Sequence, residues 1–88
     1  MKRSPFTHQV VETIRGIPAG RVSSYGRIAA LAGERRGARQ VVRILHALSE
    51  AEKLPWHRVV NRDGEIALGA GDDGQRQRDL LEAEGVEF

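Results

Sequence analysis

The sequence has 88 residues, with fourteen basic and twelve acidic side chains and no cysteine. A chain of this length builds one small core, so we expect a single domain over residues 1–88. The lack of cysteine excludes disulfides, thiolate catalysis and cysteine-ligated zinc, and no apolar run is long enough for a membrane span or a signal peptide.

The charges are segregated along the chain. The first 62 residues contain twelve Lys and Arg against four Glu, whereas residues 63–88 contain two Arg against eight acidic residues. Arginine accounts for twelve of the fourteen basic residues, and its planar guanidinium pairs with phosphates in a bidentate manner. The pattern indicates a surface for a polyanion in the first two-thirds of the chain. A GC-rich genome that favours arginine codons is the alternative explanation.

Two short helices are predicted at the start of the chain. Ser4 and Pro5 are typical of a helix N-cap and first turn, and a helix of about ten residues follows until residues 16–20 stop it. Its apolar stripe consists of Phe6, Val10, Val11 and Ile14. Ser24 is the predicted cap of a second helix, which ends at Gly33. The apolar face of this second helix is predicted to consist of Ile28, Ala29, Leu31 and Ala32.

A third helix, predicted over residues 38–48, has two stripes of opposite character on opposite sides. The inward stripe consists of Val41, Leu45 and Leu48. The outward stripe consists of Arg39, Arg43 and His46. Two short helices joined by a glycine-containing turn form a helix-turn-helix pattern, in which the second helix meets DNA. A solvated basic face without a partner is the alternative for Arg39 and Arg43.

A short hairpin and a last helix complete the predicted fold. Residues 59–60 and 65–68 are predicted strands joined by an Asp-Gly turn, and residues 69–74 form a loop without phosphate-binding spacing. Asp72 or Asp73 starts the last helix, which ends at Gly85. Its inward residues are predicted to be Leu80, Leu81 and Ala83. The fold class is mainly α, a winged helix-turn-helix-like domain with a short β-hairpin.

The run LPWHRVV, residues 54–60, combines a proline, an indole, an imidazole and a guanidinium. It contains no nucleophile, because an indole does not attack an alkyl group at neutral pH. An indole is instead a large flat apolar surface with one hydrogen-bond donor. The run favours a binding site around Trp56, and a tryptophan that fills the core is the alternative. His8, His46 and His57 lie far apart, so we expect no metal site and no cofactor.

Several motifs together resemble a known family over essentially the whole chain. They are IPAGRVSSYGRIA at 17–29, GARQVV at 37–42, PWHRVV at 55–60, GAG at 69–71 and LLEAEGV at 80–86. This set resembles the DNA-binding domain of O6-alkylguanine-DNA alkyltransferases, in which the cysteine of a Pro-Cys-His-Arg-Val run takes the alkyl group. Trp56 stands at the cysteine position, so the chain is similar to the alkyltransferase-like proteins, which keep the lesion pocket and lack the cysteine.

The resemblance implies a DNA damage sensor that is not an enzyme. Such a protein binds double-stranded DNA in the minor groove and flips an O6-alkylguanine out of the stack, which costs a few kcal/mol. It flags the lesion for nucleotide excision repair, whose damage-recognition proteins are the expected partners. We expect a monomer that has no membrane contact and is cytoplasmic, associated with the nucleoid if bacterial.

The resemblance also implies roles for individual residues. The implied lesion pocket consists of Tyr25, Trp56, His57, Val59, Gly69, Ala70 and Gly71. The implied DNA-binding residues are Tyr25, Arg27, Arg36, Ala38, Arg39, Gln40 and Arg43. Arg39 matches the family's intercalating arginine, and Tyr25 is expected to press on the 3′ phosphate of the target nucleotide. A half-buried packing role is the alternative for Tyr25. His57 and Glu84 match the family's relay and are interpreted as its structural remnant, with Arg58 as a brace for the loop.

Two departures from the family pattern affect the site. The run HALSEAEKLP at 46–55 replaces an Asn-Pro pair that usually braces the active-site loop, so this hinge must be built differently. Gly69 lies where relatives often carry a large side chain, which predicts a more open pocket.

Two further functions stay as alternatives. One is a sequence-specific helix-turn-helix transcription regulator, although no dimerisation helix is evident. The other is an enzyme that uses Ser23, Ser24 or Glu84 as an unusual acceptor or in hydrolysis, although no serine is placed beside His57 by the sequence.

Overall fold

The computed structural model describes residues 4–61 and 72–86. Within these ranges the chain forms four α-helices, a 3-10 helix and two short strands. The α-helices are α1 (Pro5–Arg15), α2 (Tyr25–Leu31), α3 (Ala38–Leu48) and α4 (Asp72–Ala83). The strands are β1 (Ser23–Ser24) and β2 (Val59–Val60), and the 3-10 helix is Trp56–Arg58. Helices therefore dominate the described fold, as the sequence predicts.

The first two helices begin at the predicted caps. The Ser4 side chain accepts a hydrogen bond from the Thr7 amide at 3.1 Å, and Pro5 occupies the first turn of α1. Ser24 accepts from the Arg27 amide at 3.1 Å at the start of α2. Each cap satisfies an amide that has no partner inside its helix.

The first three helices enclose the core. Its fully or almost fully buried residues are Val10, Val11, Ile14, Ile17, Ile28, Ala29, Val41, Leu45, Leu54 and Val59. The prediction that Leu31 belongs to this core is wrong, because its side chain is 62% exposed. At about 100° per residue, Leu31 lies outside the arc that Ile28 and Ala29 turn toward the core.

The two strands pair in parallel, with Ser23 opposite Val59 and Ser24 opposite Val60. The strand at residues 59–60 is therefore confirmed, and its partner is a segment that the sequence analysis did not identify as a strand. A parallel pair needs a crossover connection, here provided by α2 and α3. The predicted hairpin turn and its second strand at residues 65–68 lie outside the described residues. The β1–β2 pair joins the start of α2 to the end of the 3-10 helix.

The last helix buries an unexpected polar residue. Leu81 and Gln77 are buried at 0% and 1% exposure and lie four residues apart on one stripe. Ala83 is exposed, so the prediction that it packs inward is wrong, because it lies about 200° around the helix from Leu81. Leu80 is half-buried. No helix in the described part of the chain combines the length and the apolar character needed to cross a membrane.

Three helical segments end in the same backbone motif. After α2, Gly33 has a φ of 100° and the Glu34 amide donates to the Ala29 carbonyl. After α4, Gly85 has a φ of 90° and the Val86 amide donates to the Leu81 carbonyl. These are Schellman motifs, in which a left-handed residue closes the helix, and they confirm both predicted ends. The third motif follows α3 and has no glycine.

Candidate nucleic-acid interface

The predicted DNA-binding side chains lie on the surface around α3. Arg39, Gln40 and Arg43 are exposed on this helix, and Arg39 and Arg43 share one side at a spacing of four residues. Arg27 on α2 and Arg36 before α3 are exposed as well, whereas Ala38 is half-buried. A helix with an arginine-bearing exposed face is suited to contact phosphates and a DNA groove.

Beside these helices lies an open cavity of about 910 Å³. Its walls come from the end of α1, the start of α2, the end of α3 with the turn after it, the 3-10 helix and α4. The structure brings three predicted pocket residues together in these walls, namely Tyr25, Trp56 and His57. The predicted Gly69, Ala70 and Gly71 lie outside the described residues. The volume falls in the range of small-molecule sites in proteins.

Trp56 forms part of both the cavity wall and the edge of the core. The residue is half-buried and packs against the core cluster. Its ring meets the His57 ring edge-on, with centroids 6.1 Å apart and an interplanar angle of 84°. The Arg76 guanidinium carbon lies 5.8 Å from the Trp56 ring centroid, a cation–π arrangement. The tryptophan is therefore held in place on several sides while it still lines the cavity.

Glu84 joins three segments of the chain. Its carboxylate accepts from His57 Nε2 at 2.9 Å and from the Arg58 guanidinium at 2.6 Å. It also accepts from the Gly20 amide at 3.2 Å, in a tight loop where Gly20 has a φ of 83°. Arg58 donates in addition to the Ile17 carbonyl at 2.9 Å. One carboxylate thus fastens the loop after α1 and the 3-10 helix to the end of α4.

These bonds shift the acidity of the carboxyl group. Hydrogen bonds from Arg58 and then His57 lower the pKa of Glu84 from 4.5 to about 2. Glu84 is therefore ionised at neutral pH, and His57 directs an Nε2 proton at it. The geometry agrees with the interpretation of Arg58 as a brace, because its guanidinium donates to Glu84 after α4 and to the Ile17 carbonyl in the loop after α1.

Gln77 holds the backbone on either side of Arg58. Its Nε2 donates to the His57 carbonyl at 3.0 Å and to the Val59 carbonyl at 2.8 Å. The Val59 amide donates to the Trp56 carbonyl, and its side chain is buried. The implied contact between the Val59 backbone and a bound base stays a prediction. Because the Val59 amide and one lone pair of its carbonyl oxygen are already used in these bonds, a base could bind only to the second lone pair of that oxygen.

Tyr25 is the first residue of α2 and lines the same cavity as the 3-10 helix. It is half-buried against the core, and this burial raises the pKa of its hydroxyl group above 10.0. The hydroxyl therefore keeps its proton at neutral pH and can donate a hydrogen bond, for example to a phosphate oxygen. Its position follows from the β1–β2 pair, because Ser24 precedes it and lies opposite Val60.

The hinge before the 3-10 helix is built on Lys53. This residue has a φ of 52°, which puts it in the left-handed region that glycine usually occupies. The Leu54 amide donates to the Ser49 carbonyl at 2.9 Å, and the Lys53 amide donates to the Glu50 carbonyl at 3.2 Å. This is the third Schellman motif, and the buried Leu54 anchors it in the core. The motif lies in the run 46–55, for which the sequence predicts a hinge built differently from an Asn-Pro pair.

Sequence reasoning did not place several of the cavity residues in the pocket, among them Lys53, Arg76 and Gln77. A signal existed for Gln77, because it lies four residues before Leu81 on the inward stripe of the last helix. Arg76 likewise lies four residues before Leu80. Lys53 carried no signal, since a lysine is not typical of a left-handed position.

Comparison with known proteins identifies the class of protein. A family profile described as the DNA-binding domain of 6-O-methylguanine DNA methyltransferase matches residues 5–86, so the chain belongs to this family. It is 52% identical over 85 residues to the DNA base-flipping protein of Escherichia coli, an alignment that covers 97% of this chain and 65% of that relative. The chain therefore spans about two-thirds of the length of this relative. It is 42% identical over 91 residues to alkyltransferase-like protein 1 of Schizosaccharomyces pombe, covering 100% of this chain and 82% of the relative.

Solved structures agree with this assignment. The S. pombe alkyltransferase-like protein in complex with damaged DNA containing O6-carboxymethylguanine superposes with a TM-score of 0.84 at 42% identity, covering 99% of this chain and 82% of that one. The O6-methylguanine methyltransferase of Mycobacterium tuberculosis superposes with a TM-score of 0.72 at 30% identity, covering 94% and 50%. These matches confirm the resemblance and the fold class predicted from the sequence.

Proposed function

We propose that this protein is a non-enzymatic DNA damage sensor that binds O6-alkylguanine in double-stranded DNA and flips it out of the helix. The observation that carries the proposal is the position of Trp56, whose ring lines an open cavity beside an arginine-bearing helix. The names of two relatives, a base-flipping protein and an alkyltransferase-like protein, support it. So does the damaged DNA in the complex of the S. pombe protein.

Docking on DNA begins with α3 in the minor groove. The exposed Arg27, Arg36 and Arg43 contact phosphates, as does Arg21, which is also exposed. Arg39 inserts its guanidinium into the base stack in place of the flipped nucleotide. Tyr25 presses on the 3′ phosphate, and its protonated hydroxyl group donates to it. Ala38 and Gln40 complete the contact at the start of the helix.

Selectivity comes from the cost of flipping and from the pocket. Alkylation at O6 removes the N1 proton of guanine and weakens its base pair, so the damaged base leaves the stack at a lower cost. In the cavity the Trp56 ring offers a flat apolar surface to the base and its alkyl group. Gly69, Ala70 and Gly71 are proposed to act as a lid of small residues over the lesion, and the small Gly69 leaves room for larger adducts.

No alkyl transfer follows, because the position of the family's acceptor cysteine is Trp56 and the sequence contains no cysteine. His57 and Glu84 retain the arrangement of a proton relay, with 2.9 Å between Nε2 and the carboxylate. Glu84 is also held by Arg58 and Gly20, so in this protein the pair positions the 3-10 helix and Trp56. Binding is therefore reversible, and the protein survives each encounter.

A sensor without chemistry needs partners that complete the repair. We propose that the protein acts as a monomer and marks the lesion for nucleotide excision repair, whose damage-recognition proteins read the flipped and bent DNA. A sequence-specific transcription regulator is the second candidate, and the exposed arginines of α3 are compatible with it.

The test is a titration of two duplexes that differ by one O6-methylguanine, with 2-aminopurine beside the lesion as a reporter of flipping. The sensor binds the damaged duplex about tenfold more tightly or better, since each such factor corresponds to about 1.4 kcal/mol. Trp56→Ala loses most of this preference, because stacking on an aromatic ring contributes about 1–3 kcal/mol per base. Arg39→Ala lowers the 2-aminopurine signal.

Equal affinity for both duplexes contradicts the sensor, and tight binding to one undamaged operator sequence favours the regulator. A methyl group labelled on the lesion decides the remaining alternative. Label that appears on the protein or in solution establishes an enzyme that uses Ser23, Ser24 or Glu84.

A further inference from the structure

The described lining of the cavity contains more cationic than anionic side chains. Four cationic side chains line it, namely Arg15, Lys53, Arg58 and Arg76. Arg15 is paired with Glu52 at 2.9 Å, and Arg58 is paired with Glu84 at 2.6 Å. Lys53 and Arg76 form no ion pair with any of the described residues, and Glu50 is the only carboxylate in the described lining.

Arg76 is the cation that lies against the proposed reading surface, and none of the described residues forms an ion pair with it. Its guanidinium carbon is 5.8 Å from the centroid of the Trp56 ring, and both residues line the same cavity. Its position is set by α4, whose next residue, Gln77, is buried and bonded to the His57 and Val59 carbonyls. The side chain is therefore carried by a firmly anchored turn of helix and leans on the tryptophan face.

A guanidinium group in this position is suited to one ligand class. Its planar donors match the two oxygens of a carboxylate, and such charge-assisted bonds are about twice as strong as neutral ones. A carboxylate on the O6 substituent would meet Arg76 where the base rests on Trp56. A neutral alkyl group would meet only the ring.

We propose that Arg76 is a specificity-determining residue that recognises negative charge on the O6 substituent of the flipped guanine. The inference rests on the proposed function, since it assigns the adduct class to the same pocket. It means that the protein favours guanines with a carboxylate-bearing adduct over guanines with an uncharged adduct of equal size.

The test compares three duplexes of identical sequence that carry O6-carboxymethylguanine, its neutral amide analogue O6-carbamoylmethylguanine, or O6-methylguanine, with unmodified guanine as reference. The phosphate contacts are the same in all of them, so the ratio of affinities isolates the charge of the adduct. The wild-type protein is expected to bind the carboxymethyl lesion about tenfold more tightly than the amide, because only the carboxylate forms charge-assisted hydrogen bonds with Arg76.

Arg76→Gln is expected to bring this ratio close to one while the preference for O6-methylguanine over guanine remains. Arg78→Gln is the matched control. It removes the same charge from an exposed position two residues further along α4, about 200° around the helix, and is expected to keep the wild-type ratio.

Three results overturn the proposal. They are a ratio near one in the wild-type protein, a ratio that Arg76→Gln leaves unchanged, and an equal loss in Arg78→Gln, which would reveal a general effect of charge. The proposed function fails separately, when O6-methylguanine and guanine duplexes bind equally well. If the ratio of the charged to the neutral lesion still depends on Arg76 in that case, the role of Arg76 stands without the wider sensor.

Discussion

The carboxylate of Glu84 links the loop after α1 and the 3-10 helix to the end of α4. It accepts hydrogen bonds from two side chains and from the backbone amide of a third segment. These bonds hold the 3-10 helix, which forms part of the cavity wall, to the end of α4.

Replacing this carboxylate tests its structural role. We expect Glu84→Gln to lower the free energy of unfolding by about 2–4 kcal/mol, because Arg58 stays half-buried and loses its counter-charge. Urea denaturation followed by circular dichroism measures the loss. Glu82→Gln is the control, because Glu82 is exposed on the same helix. Equal losses in the two variants would contradict the assignment.

The acidity of Glu84 predicts how stability depends on pH. Because the pKa of Glu84 falls from 4.5 in its ordinary state to about 2 in the folded protein, its contribution is complete above pH 4.5 and is lost as the pH falls toward 2. We therefore expect the stability difference between wild type and Glu84→Gln to be constant near neutral pH and to shrink across this window. Urea denaturation at several pH values between 2 and 7 measures the difference. A difference that stays constant down to pH 2 would contradict the shift.

At the scale of single elements, the turn between α3 and the 3-10 helix contains a backbone position that is unfavourable for its residue type. Lys53 closes it in a left-handed conformation, which costs about 1–2 kcal/mol for a residue with a Cβ atom. The two glycines in the equivalent position after α2 and α4 avoid this cost.

Lys53→Gly is accordingly expected to raise the free energy of unfolding by about 0.5–1 kcal/mol. The reason is that the backbone strain relieved in the folded state exceeds the stabilisation of the unfolded chain by the extra conformational entropy of glycine. Lys53→Ala removes the same charge and keeps the strain, so it is expected to give no such gain. The midpoint of urea denaturation compares the three proteins. A stabilised Lys53→Ala variant would show that the charge, and not the backbone conformation, is responsible.

At the scale of the whole molecule, the exposed arginines around α3 predict how binding responds to salt. Each phosphate contact contributes about 0.9 to the slope of log affinity against log salt concentration. Arg43→Gln is expected to reduce this slope by about one, equally for damaged and undamaged duplexes. Fluorescence anisotropy at increasing salt concentrations measures it. A change confined to the damaged duplex would place Arg43 in the pocket and not on the backbone of the DNA.

Much of this architecture was predictable from local sequence. The caps at Ser4 and Ser24, the ends at Gly33 and Gly85 and the full length of α3 follow from short-range rules, and the structure confirms them. Hydrophobic periodicity wrongly predicted that Leu31 and Ala83 are buried, because the width of the buried face of a helix depends on tertiary packing. The parallel pair of β1 and β2 was not predicted, since two-residue strands far apart in sequence carry no pattern of their own.

The pocket was predictable in part. Its motif residues Tyr25, Trp56 and His57 were found from the resemblance and lie together in one cavity. Arg76 lines the same cavity because of where α4 packs, and Lys53 lines it because of the shape of the turn after α3. The packing of α4 and the shape of this turn depend on contacts between residues that are distant in sequence. The charge of the cavity could therefore not be predicted from sequence motifs.

The dependence of the 3-10 helix on Glu84 also bears on biosynthesis. A ribosome makes the arginine-bearing helix early and the glutamate among the last residues described here. A nascent chain that has emerged only as far as Val60 can already display its basic face, yet the turn that holds the indole still lacks its anchor. Under the proposed function, attraction to nucleic acid would thus precede discrimination while the polypeptide is being made, because the anchor of the segment that carries Trp56 comes only with the end of α4.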